Sequence, residues 1–338
     1  MKRIGIICPS EIAYRRFLPA LKEVECFEYA GVAIANEEEF DGATDEILDG
    51  ERAKAQKFVD SYGAKIYEGY STMIHSKDID AVYLPLPPGL HYKWAKEALL
   101  AGKHILMEKP CTTSFATTDD LIKYAKIKGL ATHENYMFAF HDQLESINDI
   151  IRSGELGDVR LYRIYFGFPM RTQNDFRYNK ALGGGALLDC GGYTFKYASM
   201  LLGPSAKIIY AQSNHIDGFS VDMYGSAALV NDEGLTAQVA FGMDQSYKCE
   251  LEVWCSKGTL YTNRILTAPV GFIPEVIIKK NNEEVKRSLP ADDAFKKSIM
   301  HFHNCIVDTG VREENYRTIL FQAKLVDDFK VLSGVDVK

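Results

Sequence analysis

Up to about residue 130 the chain repeats one pattern: a short apolar run, then a stretch in which apolar residues recur every three or four positions. The runs are RIGIIC, EYAGVAIA, AVYLPL and HILME. The stretches between and after them are IAYRRFLPALKE, ERAKAQKFVDSYG, YKWAKEALLAG and TDDLIKYAKIKG. Runs of this kind read as strands buried on both faces, and the intervening spacing is that of amphipathic helices. Strands that alternate with helices through short links must lie parallel, because each helix carries the chain back across the sheet. The predicted fold class is therefore α/β, starting with a doubly wound parallel sheet of the Rossmann type. In such sheets ligands sit beyond the carboxyl ends of the strands.

The pattern changes after about residue 134. A helical stretch, FHDQLESINDIIRSG, leads into DVRLYRIYFGF, AKIIYAQSNHI, SAALVNDEGLTAQVAFG, KCELEVWCSKGTLYTN and EVIIKKNNEEVKRSL. These are longer, alternating strands joined by turn sequences such as Asn231-Asp232-Glu233-Gly234 and Lys280-Asn281-Asn282. They predict a large, mostly antiparallel sheet with one solvated face. Helical stretches around DDAFKKSIMHFHNCIVDTG and TILFQAKLVDDFKVL close the chain. A chain of 338 residues has room for two domains. The boundaries expected are 1–130 for a dinucleotide-binding domain and 131–338 for an α+β domain that binds substrate and mediates oligomerisation.

The net charge of −7 supplies no basic excess to replace phosphate counterions, which argues against nucleic acid as a partner. No apolar stretch is long enough to span a membrane, and the opening MKRIGIICPSE lacks the extended apolar core of a signal peptide. Seven scattered cysteines form no CxxC pair and read as reduced thiols in a cytoplasmic protein. No cluster of histidines and cysteines has zinc-ligand spacing, so no metal is expected.

Candidate chemistry sits at the predicted strand ends. The second strand ends in Ala35-Asn36-Glu37. An acid here accepts hydrogen bonds from the adenosine ribose and repels a 2′-phosphate, which favours NAD over NADP. Alternatively Glu37 simply opens the acidic loop 37–51, and Arg15 and Arg16 on the first helix remain available to a phosphate. HILMEKPCTTS places Lys109 at the end of a buried strand, fixed by Pro110, where an ammonium can hydrogen-bond a hydroxyl and lower a neighbour's pKa.

The segment YLPLPPGLHYKWAKEALLAGKHILMEKP, followed by YMFAFHDQ, IRSGELGDV and NDFRYNKALGGGALLDCGGY, resembles the Gfo/Idh/MocA family. The resemblance is greatest to its branch with glucose–fructose oxidoreductase and dimeric dihydrodiol dehydrogenase, and it runs along essentially the whole chain. It implies hydride transfer between a nicotinamide, NAD or NADP, and a hydroxyl-bearing carbon of a sugar, polyol or nucleotide sugar. It also implies catalytic roles for Lys109 of EKP and for Asp189 and Tyr193 of the Asp-x-Gly-x-Tyr motif. A free tyrosine has a pKa of about 10, so a nearby ammonium is needed to make it an efficient acid/base near neutrality. Tyr193 is then the general acid/base, Lys109 its electrostatic partner, and Asp189 an orienting group. Ser10, Glu11, Ile12, Asn36, Pro87, His91, Glu108 and Lys109 are expected at the cofactor, and Lys109, Arg177, Asp189 and Tyr193 at the substrate. Gly183, Gly184 and Gly185 are expected to let the backbone approach a ligand closely. Lys196 and Ala139 depart from residues common in the family, which leaves the particular sugar open.

The first strand–turn–helix departs more sharply. On the family's G-x-G-x-x-A, Cys8 and Ser10 stand at the two glycine positions and Ala13 at the third. Serine is small and can cap the following helix, whose N-terminus still offers N–H groups to a pyrophosphate. Cofactor binding is expected to survive. The competing expectation is a sugar- or dinucleotide-binding regulator without catalysis. Apolar residues on the strands GSAALV, TAQVAFGM and ELEVWC suggest a homodimer or homotetramer.

Overall fold

The computed structural model describes residues 1–39 and 43–335 and divides into two compact units. The first comprises Met1–Asn135 and Phe295–Leu320. The second comprises Tyr136–Ala294 and the chain from Phe321 onward. Part of the acidic loop 37–51, residues 40–42, lies outside the described residues.

The first unit is built on six parallel strands: β1 (Lys2–Ile7), β2 (Phe27–Ile34), β3 (Lys65–Glu68), β4 (Ala81–Leu84), β5 (His104–Glu108) and β6 (Thr132–Asn135). Their spatial order is β3-β2-β1-β4-β5-β6. The order reverses between β1 and β4, the switch point at which doubly wound sheets bind ligands. Ile4, Ile6, Val82, Leu84, Ile105 and Met107 are fully buried, as expected for strands covered on both faces. The intervening helices are α1 (Leu18–Lys22), α2 (Asp45–Tyr62), α3 (Tyr70–Ile74), α4 (Pro88–Leu100) and α5 (Phe115–Lys128). Local chemistry sets their ends. Thr44 caps α2 by accepting from the Ile47 N–H, Ser114 caps α5 by accepting from Thr117, and Gly129 closes α5 in the left-handed conformation.

The second unit follows α6 (Gln143–Arg152) with β7 (Val159–Gly167), α7 (Gly192–Leu202), β8 (Lys207–Asn214), β9 (Tyr224–Val230), β10 (Thr236–Gly242), β11 (Lys248–Cys255), β12 (Thr259–Asn263), β13 (Glu275–Lys280) and β14 (Glu283–Ser288). These eight strands form one sheet, ordered β14-β13-β12-β11-β7-β10-β9-β8. Every pair is antiparallel except β7–β10. The predicted turns are those that form. Asn231 Oδ1 accepts from the N–H groups of Glu233 and Leu235, and Gly234 takes a positive φ. Asn281 and Asn282 both take positive φ in the tight β13–β14 hairpin.

Two long helices, α8 (Ala294–Val307) and α9 (Thr309–Ser333), end the described chain. From Phe295 to Leu320 they belong to the first unit, where Phe302 stacks on Phe27 and the Asn315 amide donates to the Thr132 carbonyl. Two features escape the periodicity reading: β3, which is only four residues long, and β6, whose sequence Thr-His-Glu-Asn is entirely polar.

Candidate active site

At the first strand–turn–helix, Cys8 adopts φ 85°, the left-handed conformation that glycine normally supplies. Its N–H donates to the Ala33 carbonyl, and its own carbonyl accepts from Ser10. The chain thus makes the tight turn without glycine. Ser10 Oγ accepts from the Ala13 N–H at 3.2 Å, and the Ser10 carbonyl accepts from Tyr14. The N–H groups of Glu11 and Ile12 lie ahead of that first helical bond, at the helix start where backbone donors have no intrahelical acceptor and an anion can be held. Glu11 and Ile12 are exposed, and Glu11 pairs with Arg15. The helix is π-wound from Ala13 to Phe17 before continuing as α1. The turn therefore fits a dinucleotide.

At the end of β2, Asn36 turns its Oδ1 onto the N–H groups of Glu38 and Glu39. Glu39 is drawn inward and accepts from the N–H groups of Asn36, Tyr70 and Ser71, the last two at 2.8 Å, which caps α3. Glu37 is left exposed at the strand end.

The loops after β4 and β5 are joined by His91. It was expected at the cofactor, but the ring is fully buried in its own unit. Nδ1 lies 2.9 Å from the Pro110 carbonyl and Nε2 2.8 Å from the Leu86 carbonyl. Burial pulls its pKa below the ordinary value, against the pull of those carbonyls. His91 thus fixes the backbone just before Pro87, the residue that precedes α4, and just after Lys109. Glu108 is likewise turned inward. Its Oε1 accepts from the Tyr83 hydroxyl at 2.6 Å and from the Asn135 amide at 2.8 Å, and burial raises its pKa. The turn after Lys109 is pinned by the Cys111 N–H, which donates to Glu134 at 2.7 Å. Lys109 is half-buried at the carboxyl end of β5.

In the second unit the glycine run has another purpose than the one expected. A Cβ on Gly184 would lie 2.4 Å from the Arg177 carbonyl, and one on Gly185 2.2 Å from Asp222. The glycines admit close packing of the protein on itself. Asp222, which nothing in its local sequence marks out, accepts from the Leu187 N–H at 2.7 Å and so caps the helical segment that carries the motif. That segment is π-wound from Leu187 to Gly191 and continues as α7, so Asp189 lies within the irregular turn and Tyr193 just after it. Such turns recur at functional sites.

Arg177 lies between two carboxylates. Nε donates to Asp189 at 2.6 Å and Nη1 to Asp175 at 3.1 Å, and its guanidinium stacks over Phe176. Burial disfavours its charge, yet the two carboxylates raise its pKa above the ordinary value. Arg177 therefore orients Asp189. Tyr193 is nearly buried among three rings, with centroids 5.1 Å from Tyr136, 5.3 Å from Phe166 and 5.7 Å from Phe138. Among the described residues no group of three or more His, Cys, Asp or Glu is placed to hold a metal ion.

A doubly wound sheet with a pyrophosphate-competent turn, followed by a second unit whose helical segment carries Asp189 and Tyr193, is the arrangement of a nicotinamide-dependent oxidoreductase. Residues 4–136 match the oxidoreductase family with an NAD-binding Rossmann fold, and residues 144–261 match the GFO/IDH/MocA C-terminal domain. The chain belongs to the Gfo/Idh/MocA family of NAD(P)-dependent oxidoreductases. It is 36% identical to the dTDP-3,4-didehydro-2,6-dideoxy-alpha-D-glucose 3-reductase of Actinomadura kijaniata, over 96% of this chain and 93% of that one. It is 28% identical to D-xylose 1-dehydrogenase (NADP(+)) 2 of Haloferax volcanii, over 90% and 89% of the two chains. Among solved structures, the 3-ketoreductase KijD10 of Actinomadura kijaniata in complex with NADP and TDP-benzene superposes with a TM-score of 0.89 at 35% identity, over 98% of this chain and 97% of that one. KijD10 has also been solved with a tyrosine replaced by phenylalanine and with a lysine replaced by alanine.

Proposed function

We propose that this protein uses NADPH to reduce a ketone on the sugar ring of a dTDP-linked deoxysugar, as a 3-reductase. One observation carries the reading. Similarity to the dTDP-sugar 3-reductase runs nearly end to end in both chains, and Lys109 and Tyr193 are separated by the same number of positions as the lysine and tyrosine replaced in KijD10. The NADP in KijD10 outweighs the preference for NAD drawn from Glu37, whose carboxylate is exposed and free to turn to solvent.

When bound, the reduced nicotinamide supplies the hydride. The N–H groups of Glu11 and Ile12, with Ser10, hold the pyrophosphate. Tyr193 gives its hydroxyl proton to the carbonyl oxygen while the C=O π pair moves onto that oxygen, so that a C–H and an O–H bond replace the π bond. Lys109 provides the positive charge that stabilises the developing oxyanion and the phenolate left behind. Asp189, held by Arg177, orients the sugar.

The test is the loss of NADPH absorbance when the purified protein meets dTDP-3,4-didehydro-2,6-dideoxy-α-D-glucose. Turnover is expected, and Tyr193→Phe and Lys109→Met should each lower kcat by about a hundredfold or more. Inertness toward this ketone combined with NADP⁺-dependent oxidation of D-xylose would overturn the reading.

We further propose that the protein acts in the cytoplasm as a homodimer or homotetramer. All seven cysteines are free thiols, and among the described residues no helix is long and apolar enough to cross a membrane. Tyr165, Tyr224, Ala228 and Trp254 lie on the partly exposed positions of β7, β9 and β11, with Arg163 paired to Glu252 among them. This mixed face suits a second copy of the chain, and a mass from light scattering equal to one chain would exclude it.

A further inference from the structure

We infer that Tyr136 and Gln322 form a clasp on the backbone at Gly192 that sets the position of Tyr193. The inference rests on the role proposed for Tyr193. Gln322, on the second half of α9, is almost fully buried. Its Nε2 donates to the Gly192 carbonyl at 2.8 Å and to the Tyr136 hydroxyl at 3.3 Å. The Tyr136 hydroxyl in turn sits against Gly192 so closely that a Cβ there would lie 2.3 Å from it. One side chain thus grips the residue immediately before Tyr193, while the ring of Tyr136 meets the ring of Tyr193 edge-on at 88°. Phe138 and Phe166 complete the enclosure.

The placement answers a local need. The π-wound turn from Leu187 to Gly191 interrupts regular helical bonding just ahead of Tyr193, and two adjacent glycines leave that backbone without side chains of its own to fix it. A bond from a distant buried amide supplies the missing constraint. It has a cost, because Gln322 Oε1 is buried without a hydrogen-bond partner. Tyr136 and Gln322 are positioning residues, since they act through Tyr193.

Tyr136→Phe removes only the hydroxyl, and Gln322→Met keeps the volume. Each should lower kcat by about tenfold, as expected for a slightly misplaced proton donor. KM for NADPH and for the keto-sugar should stay within about twofold, and the alkaline limb of the kcat–pH profile should move. Made in the Tyr193→Phe background, the same changes should cost nothing further, because the group they position is gone. An unchanged kcat, or an equal loss in both backgrounds, overturns the clasp. NMR of the protein labelled at the tyrosine ring, with the Tyr193 signal assigned through Tyr193→Phe, is independent of turnover. The Tyr193 signal should shift in Gln322→Met, and an unmoved signal overturns the clasp. A wild-type protein inert toward keto-sugars would instead be a failure of the functional reading, and the NMR result would still decide the clasp.

Discussion

Cys8 is where this chain departs furthest from the glycine-rich turn of its family, and the structure shows how the departure is accommodated. An L-residue in the left-handed region costs about 1–2 kcal/mol. Here the Cys8 N–H bond to Ala33 and the Ser10 N–H bond to Cys8 hold it there. Burial, reinforced by the charge of Glu51, pushes the thiol pKa up to about 12, which disfavours the reactive thiolate at neutral pH. Cys8→Gly should retain NADPH affinity within about threefold, because it restores the residue that suits this conformation. Cys8→Val adds a branched Cβ where even a simple one is strained, and should lower the melting temperature by several degrees and weaken NADPH by about tenfold. Calorimetric titration and thermal melts check both, and loss of NADPH binding in Cys8→Gly would contradict the assignment of the turn. The sequence shows which residues stand at the glycine positions. It does not show that cysteine can be held in a glycine conformation, because that depends on a partner on the next strand, Ala33.

The secondary elements were legible where local periodicity and capping chemistry decide them, as in α2, α4, α5 and the Asn231–Gly234 and Asn281–Asn282 turns. Strand β6 was not, because its four polar residues are buried only by virtue of distant partners. His133 lies within hydrogen-bond distance of Ser298 and Asn315, Asn135 is bonded to Glu108 and Ser298, and Glu134 accepts from Cys111. The motif residues Lys109, Asp189 and Tyr193 were legible from the resemblance. Asp222, Tyr136 and Gln322 were not, because their effect arises from contacts across long sequence separations.

Strand β5 carries its own pH dependence. His104 Nδ1 accepts from the Ala131 N–H at 3.0 Å, a bond that only the neutral ring can make. Burial, aided by the charges of Lys2 and Arg312, lowers its pKa to about 4 from the ordinary 6.5. Between those values the unfolded chain binds the proton and the folded one does not. Stability therefore rises with pH across that window and is lost as pH falls through it, by on the order of 2 kcal/mol. His104→Asn keeps an acceptor but does not titrate, so chemical denaturation from pH 7 to 4 should show a shallower loss than in the wild type. Parallel curves would contradict the assignment.

The first unit is assembled from two separated pieces of chain. Without Phe295–Leu320, His133 loses Ser298 and Asn315, and Phe27 loses Phe302. A fragment of residues 1–135 should therefore lack a cooperative melt and bind NADPH poorly. Joining 295–320 to it through a flexible linker should restore both. A cooperative melt for 1–135 alone would show that the returning helices are dispensable.

The same discontinuity has a consequence during synthesis. All six strands of the nucleotide-binding sheet leave the ribosome long before the helices that complete it, and at about 5–20 residues per second the delay is roughly ten to forty seconds. Throughout that interval the nascent chain exposes Phe27 and the polar strand at Thr132–Asn135 without their permanent cover. Cofactor capture is therefore expected to follow the emergence of Phe295–Leu320, late in synthesis rather than at the completion of the sixth strand.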